Sequence, residues 1–405
     1  MGFIFVTLLI DIMGWGLIIP VMANLIAELK HIPVNQASTY GALLLSVFAV
    51  MQFLFAPVMG NLSDRFGRRP ILLLALLGFG ADYIILALAP TYGWLFLGRV
   101  IAGMTGASFT TAAAYIADVS TPENRAKNFG LIGAAFGLGF VLGPALGALL
   151  STWGIRAPFY AAAALCLLNF LFGFFLLPES LDKSHRRPFE WKRANPFGSL
   201  KFLTRHPEIG ELALCFFLIY LGAQAVQGNW NFFTIYRFHW SEKMVGISLA
   251  VVGVLVGGVQ AGLTRVVNPK IGDVKSIYLG LSFYVLGLIL FAFATQSWMM
   301  FAFLLPYCLG GICGPSLQSV ISGHVPPNQQ GELQGALTSL MSVTTIVGPL
   351  IMNNAFAYFT SDKAPFHLPG IHFLIGALCM LVSIYLAHRT LSREADPSKV
   401  KTANM

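Results

Sequence analysis

The sequence is poor in charge: Asp, Glu, Lys and Arg make up 10% of its 405 residues, whereas hydrophobic residues make up 56%. A soluble domain carries about 25% charged residues, so this chain has too little polar surface to face water. The low charge excludes an ordinary soluble enzyme or binding domain. The composition predicts an integral membrane protein.

Cysteine is also scarce, and all five copies fall within long apolar runs. They show no metal-ligand spacing, which favours small packing residues over a disulfide framework or a metal site. The sequence also lacks a phosphate-binding loop and a nucleophile–His pairing. We therefore expect no enzyme activity, no metal and no cofactor. The cysteines are Cys166, Cys215, Cys308, Cys313 and Cys379.

Apolar runs long enough to cross a bilayer, about 20 residues each, recur between short polar or Gly/Pro-rich turns. Their uniform apolarity disfavours a β-barrel, whose strands are about 10 residues long and alternate strictly. The first run starts at Met1 without a basic leader or a small-residue cleavage site, so we expect it to be retained. The twelve predicted spans are 2–28, 40–60, 70–89, 93–117, 128–150, 156–177, 209–232, 244–265, 275–294, 298–320, 332–354 and 370–390.

The formal net charge of +8 could indicate a nucleic-acid partner. With the N-terminus inside, however, most of the 25 Lys and Arg residues fall in the loops and tails of one side. The positive-inside rule assigns that side to the cytoplasm. We therefore interpret the charge as membrane topology, expect no nucleic-acid partner, and place both termini in the cytoplasm.

The second half of the chain repeats landmarks of the first at one offset, 205 residues, since Gly143-Pro144 recurs as Gly348-Pro349. The same offset places Pro122 on Pro327 and Gly130 on Gly335. Duplicated six-helix bundles are a transporter architecture with a substrate site near the midplane, between the halves. We predict an all-α membrane protein of twelve helices in two pseudo-symmetric bundles, working as a monomer. The predicted parts are an N-terminal bundle 1–177, a cytoplasmic linker 178–208, a C-terminal bundle 209–390 and a tail 391–405.

A short basic turn joins the second and third spans. Gly67 can adopt a positive φ angle, and Asp64 can accept hydrogen bonds from helix amides or pair with arginines. Such a turn can latch two helices at the cytoplasmic face, with Asp118 pairing with Arg125 or Arg65. A plain basic turn is the alternative. The predicted gating loop comprises Gly60, Asp64, Arg65, Gly67, Arg68, Arg69 and Asp118.

Three charged residues lie deep inside predicted spans. Asp11 and Asp82 are roughly 15–18 Å from the cytoplasmic face and Arg99 about 10 Å from the outer one, at 1.5 Å per residue. A lone charge at such depth costs at least about 2.5–3.5 kcal/mol, so these side chains should face the interior and pair. Burial favours a protonated carboxyl group, whereas a nearby Arg favours the ionised form. We predict that Asp11 and Asp82 carry or sense the proton with Arg99 as their switchable partner; a static buried ion pair is the alternative.

The fifth span is rich in glycine. Gly139, Gly143 and Gly147 are spaced four residues apart, and small residues let helices approach closely. Pro144 breaks a backbone hydrogen bond and predicts a kink. These residues predict a hinge or seal, with a generic packing helix as the alternative.

The C-terminal half keeps its Asp and Glu residues in loops, tails and span ends, and offers amides and aromatic rings instead. Such residues can orient a mixed polar and apolar ligand, although interhelical hydrogen bonding is the alternative role. Gln224, Gln227 and Trp230 are spaced to share one helix face. The predicted substrate contacts are Asn24, Gln52, Gln224, Gln227, Trp230, Gln260 and Gln318.

The turn from Gly60 to Pro70 resembles the G-x-L-a-D-R-x-G-R-[RK] signature of the major facilitator superfamily, and the twelve spans extend that resemblance to essentially the whole chain. The stretch from Arg99 to Gly103 is similar to an R-x-x-x-G motif of proton-coupled members. The fifth span resembles the signature helix of drug/proton antiporters, with Ala148 where a final Gly is usual. The resemblance implies export driven by the proton gradient, with no cofactor.

The segments around Asp11 and Asp82 resemble tetracycline-efflux proteins, which implies a bacterial inner-membrane exporter of a small amphiphilic compound. That group carries a further carboxylate in helix nine, where this chain has Tyr284. The departure puts tetracycline as substrate in question and leaves coupling to the N-terminal half. A nutrient symporter or uniporter, and a membrane scaffold that transports nothing, are the alternatives.

Overall fold

The computed structural model describes residues 2–106, 108–121, 125–191, 203, 209–326 and 329–395. Helices run through nearly all of these residues, and no β-strand occurs among them, which confirms the all-α fold class. Pro122 and Pro327 lie outside the described residues. The α-helices are α1 Gly2–Lys30, α2 Val34–Phe66, α3 Arg68–Leu88, α4 Tyr92–Thr105, α5 Ser108–Val119, α6 Arg125–Leu150, α7 Ala157–Leu176, α8 Gly210–Gln227, α9 Trp230–Phe238, α10 Glu242–Gly258, α11 Thr264–Ile271, α12 Asp273–Ala292, α13 Ser297–Leu309, α14 Cys313–Gly323, α15 Gln330–Phe359 and α16 Ile371–Ala395.

Eleven helical segments of the described residues are long and apolar enough to cross a membrane. They correspond to the predicted spans except 244–265, which consists of α10, the π-helix Val259–Leu263 and α11. Glycine lowers helix stability, and Gly257, Gly258 and Gly262 lie in or beside this irregular stretch. The eighth predicted span is therefore helical but not one regular α-helix.

Three other predicted spans are interrupted. The fourth breaks at Gly106, the seventh at residues 228–229, and the tenth at the 3₁₀ segment Gly310–Ile312. The predicted common face of Gln224, Gln227 and Trp230 stays a prediction, because α8 ends at Gln227 and a new helix starts at Trp230.

Amide side chains satisfy carbonyl groups at these three interruptions. Gln52 Nε2 donates to the Gly106 carbonyl at 3.0 Å, and Asn353 Nδ2 donates to the Gly228 carbonyl at 3.2 Å. Asn268 Nδ2 donates to the Ile312 carbonyl at 3.3 Å. Because a lipid-facing backbone has no water to bond, these contacts make irregular backbone tolerable at membrane depth.

The described residues form two compact units. The first lies within Met1–Pro196 and Asn231–Val254, and the second within Phe197–Trp230 and Leu255–Met405. Most of α9 and α10 therefore packs with the N-terminal helices. Asn231 Nδ2 donates to the Ile19 carbonyl of α1 at 3.0 Å, which fastens α9 within the first unit.

The glycines of α6 bring it against α1. A Cβ atom at Gly139 would lie 2.6 Å from Ile12 Cγ2, and one at Gly143 would lie 2.8 Å from the Met13 carbonyl oxygen. On another side, a Cβ atom at Gly246 of α10 would lie 2.5 Å from the Pro144 carbonyl oxygen. Helix α6 is therefore held between α1 and α10 by contacts that only glycine permits.

We expect Gly143→Ala to lower the stability of the purified protein by about 1–3 kcal/mol, because the added methyl group overpacks the contact with α1. Gly137→Ala on the same helix is the matched control, since its Cβ atom would meet nothing within 4 Å. Thermal unfolding measured by intrinsic fluorescence compares the two variants. Equal melting temperatures would contradict the packing described.

Candidate functional site

A buried ion pair joins α3 and α4. Arg99 Nε donates to Asp82 Oδ1 at 3.2 Å, and Arg99 Nη2 contacts Asp82 Oδ2. Asp82 is 0% and Arg99 5% exposed. Gly98 makes room for the carboxylate, since a Cβ atom there would lie 2.5 Å from Asp82 Oδ1. The forked geometry gives two charge-assisted hydrogen bonds in a dry site.

Aromatic rings flank this pair. The Arg99 guanidinium carbon lies 5.9 Å from the ring centroids of both Phe48 and Tyr83. A cation near a ring face is attracted by the ring quadrupole. The rings therefore stabilise the positive charge while they exclude water.

Asp11 has a different partner. Ser108 Oγ donates to Asp11 Oδ2 at 2.6 Å, and Asp11 is 7% exposed. Ser108 begins α5, immediately beyond the interruption of the fourth span. Among the described residues no ion pair reaches Asp11, so the shared use of Arg99 stays a prediction. Sequence reasoning missed Ser108, because only the break in the helix directs attention to it.

The gating loop is organised around Arg68. Its Nη1 donates to Asp64 Oδ1 at 2.5 Å and to Ser63 Oγ at 2.7 Å, and its Nε donates to Asp118 Oδ2 at 3.0 Å. Arg68 is therefore the described partner of Asp118, in place of the predicted Arg65. The side chain of Arg125 lies outside the described residues, and the Arg65 guanidinium carbon lies 5.0 Å from the Phe66 ring centroid.

Glu179 completes this loop from the far end of the six-helix repeat. Its carboxylate accepts hydrogen bonds from the backbone N–H groups of Arg68 at 2.8 Å and Arg69 at 3.2 Å. A carboxylate at a helix N-terminus satisfies unpaired amides and complements the helix dipole. Gly67, with φ of 108°, turns the chain into α3 and lacks the side chain that would collide with Glu179.

Residues beyond Glu179 continue along the same loop. The Arg187 N–H donates to the Asp64 carbonyl at 3.1 Å, and Asn61 Nδ2 donates to the Glu190 carbonyl at 2.6 Å. The Arg69 guanidinium donates to the Phe174 carbonyl, whereas a Cβ atom at Gly60 would meet nothing within 4 Å. Sequence reasoning missed Glu179, although an acidic residue directly after the sixth span was a usable signal.

Most of the predicted substrate contacts have partners within the protein. Asn24 Nδ2 donates to Glu242 Oε1 at 2.5 Å, and Gln318 Nε2 donates to Gln334 Oε1 at 2.8 Å. Like Gln52, these amides bind other protein groups. Glu242, in the first turn of α10, is a further residue that sequence reasoning missed.

The other predicted contacts divide into buried and open residues. Trp230 is buried with its ring 5.2 Å from that of Phe291, and Gln224 is buried against Gly348. Gln227 and Gln260 are exposed, and no hydrogen bond joins their amides to another described residue. These two side chains are therefore available to a ligand.

The sequence profile of the Major Facilitator Superfamily matches residues 4–349 and 268–403. The chain belongs to this superfamily. The tetracycline resistance protein of class C from Escherichia coli is 42% identical over 378 residues, which cover 93% of each chain. The predicted resemblance to the tetracycline-efflux group is thereby confirmed.

Two solved structures share the fold of this major facilitator. The human organic anion transporter MFSD10 (TETRAN) is 25% identical with a TM-score of 0.72, over 95% of this chain and 98% of its own. The nucleoside transporter NupG, 13% identical, has a TM-score of 0.75 over 96% of this chain and 98% of its own. The chain is therefore a multi-pass membrane transporter with the major facilitator fold.

We expect Asp82→Asn to lower stability by about 3–5 kcal/mol, because it leaves the Arg99 charge buried without a counter-charge. Asp11→Asn should cost about 1 kcal/mol or less, since an amide oxygen can still accept the Ser108 hydrogen bond. Fluorescence-detected thermal unfolding of both purified variants provides the measurement. Equal losses of stability in the two variants would show that the Asp82–Arg99 ion pair does not stabilise the fold as proposed.

Glu179→Ala should expose the start of α3 and cost about 1–2 kcal/mol, as loss of a capping side chain does. Glu179→Gln, which keeps an acceptor oxygen, should lose less. Trypsin cleavage of the purified protein after Arg65 and Arg68 measures the opening of the loop. Unchanged cleavage of Glu179→Ala would argue against a capping role.

Proposed function

We propose that this transporter exports a small amphiphilic drug in exchange for protons, with tetracycline as the first candidate. The observation that carries the proposal is the 42% identity to a class C tetracycline resistance protein over 93% of both chains. We further propose a monomer in a bacterial inner membrane with both termini in the cytoplasm, driven by the proton gradient without a cofactor. The buried charges of the first unit support proton coupling.

The proton step in this proposal uses Asp82, Arg99 and Asp11. A proton that reaches Asp82 neutralises the carboxylate and weakens its attraction for Arg99. Arg99 then needs another electron-rich partner, because an isolated buried cation is costly. Asp11 is an ionisable group with a neutral hydrogen-bond donor as its described partner, which suits it to that second role.

The gating loop would couple this step to the cytoplasmic face. Asp64, Asp118 and Glu179 converge on the Arg68 side chain and backbone, so the start of α3 is held by three carboxylates. Movement of α4 and α5 relative to α3 must break the bond from Arg68 to Asp118. The loop is therefore proposed as a latch that stabilises one transport state.

Everted membrane vesicles test the proposed function. An inside-acidic pH gradient should drive tetracycline uptake, and nigericin should abolish it. Asp82→Asn should reduce uptake at least about tenfold, which corresponds to about 1.4 kcal/mol. Asp11→Asn, which keeps the ion pair intact, serves as the second variant should the first fold poorly. Glu332→Gln, which removes an exposed carboxylate in the first turn of α15, is the control expected to transport normally.

Other outcomes of the vesicle assay would favour the alternative functions. Accumulation driven only by an inside-alkaline gradient would indicate substrate/proton symport. Uptake that is unchanged without the gradient and in both aspartate variants would indicate a uniporter. Vesicles that move no tetracycline would contradict the proposed substrate.

A further inference from the structure

Two helix interruptions stand at corresponding positions of the sequence repeat. Gly106 follows α4, and Gly311 lies between α13 and α14, which is the repeat offset of 205 residues. Interrupted spans at matching positions of two halves are the best sequence pointer to the binding region of a repeat-built transporter. The two interruptions differ in the aromatic residue that packs on each of them.

An aromatic ring packs on each interruption. A Cβ atom at Gly106 would lie 3.5 Å from Phe79 Cζ, and one at Gly311 would lie 4.0 Å from the Tyr284 hydroxyl oxygen. Phe79 and Tyr284 are themselves 205 residues apart. The second unit therefore places a hydroxyl group where the first has a plain phenyl ring.

The Tyr284 ring is held by its neighbours, whereas its hydroxyl group makes no hydrogen bond to the described residues. The ring packs against Gly310, where a Cβ atom would collide with it, and lies 5.2 Å from the Tyr307 ring. No hydrogen bond joins the Tyr284 hydroxyl to another described residue. A positioned donor without a protein partner is suited to a ligand.

Open space adjoins this hydroxyl group. A Cβ atom at Gly311 would make only ordinary contacts, with Val259 Cγ1 at 3.7 Å and the Tyr284 hydroxyl oxygen at 4.0 Å. Val259 begins the π-helix, a feature frequent at functional sites. Gln260 in the same π-helix is exposed, and an amide at membrane depth is costly unless it meets water or a ligand.

We propose that Tyr284, Gln260 and the backbone at residues 310–311 form a substrate subsite for an uncharged, oxygen-bearing edge of the transported compound. The proposal rests on the proposed function and deepens it by naming what is recognised. The Tyr284 hydroxyl donates to a carbonyl or enol oxygen, and Gln260 offers both a donor and an acceptor. Because these groups carry no charge, the subsite receives an uncharged part of the substrate.

Tetracycline, a planar compound with carbonyl and enol oxygens, is the probe for transport in everted vesicles. Tyr284→Phe keeps the ring and removes the donor, so KM should rise about five- to tenfold with the maximal rate within about twofold, as for one lost hydrogen bond. Gly311→Leu should fill the open space and raise KM similarly. Tyr278→Phe on α12 and Gly323→Leu on α14 are matched controls expected to leave KM unchanged.

Membrane amounts of each variant are measured to normalise the rates. Transport with an unchanged KM in both Tyr284→Phe and Gly311→Leu would overturn the subsite while the proposed function stands. A fall in maximal rate without a change in KM would also overturn it, because recognition acts through KM. Wild-type vesicles that move no tetracycline would overturn the proposed function and the subsite with it.

Discussion

A chain inside a bilayer must satisfy its backbone hydrogen bonds from within, and this constraint governs the whole structure. Regular helices meet it by themselves. Where a span is interrupted, an amide side chain from another helix donates to a carbonyl, as Gln52 and Asn268 do. A polar residue at membrane depth can therefore either bind a ligand or satisfy a backbone carbonyl. Gln52, predicted to contact substrate, donates to a backbone carbonyl.

The two halves share a framework but differ in chemistry at matching positions. Asp82 and Arg99 form the buried ion pair, whereas the residues 205 positions later are Gly287 and Leu304. A Cβ atom at Gly287 would lie 2.7 Å from Tyr307 Cα. The second unit thus has close helix packing where the first has charge, as expected if the halves divide the proposed coupling and recognition between them.

Local sequence patterns predicted most of the spans and the burial of the three charges, because both depend on hydropathy along the chain. Burial of Asp11, Asp82 and Arg99 follows directly from the cost of exposing charge to lipid. The helix interruptions were not predicted in this way, since glycine, which stands at the interruptions as Gly106 and Gly311, also occurs within regular helices of this chain. Partners distant in sequence, such as Glu242 for Asn24, depend on how the helices pack, which no local pattern encodes.

The capping of α3 by Glu179 has a consequence for how the protein is made. The carboxylate lies 111 residues beyond Arg68, the amide it satisfies. During synthesis, the turn between α2 and α3 therefore leaves the ribosome before Glu179 has been made. Five helices, α3 to α7, are made before Glu179 can cap α3. The gating loop can therefore gain its Glu179 contacts only after nearly the whole N-terminal repeat has been made.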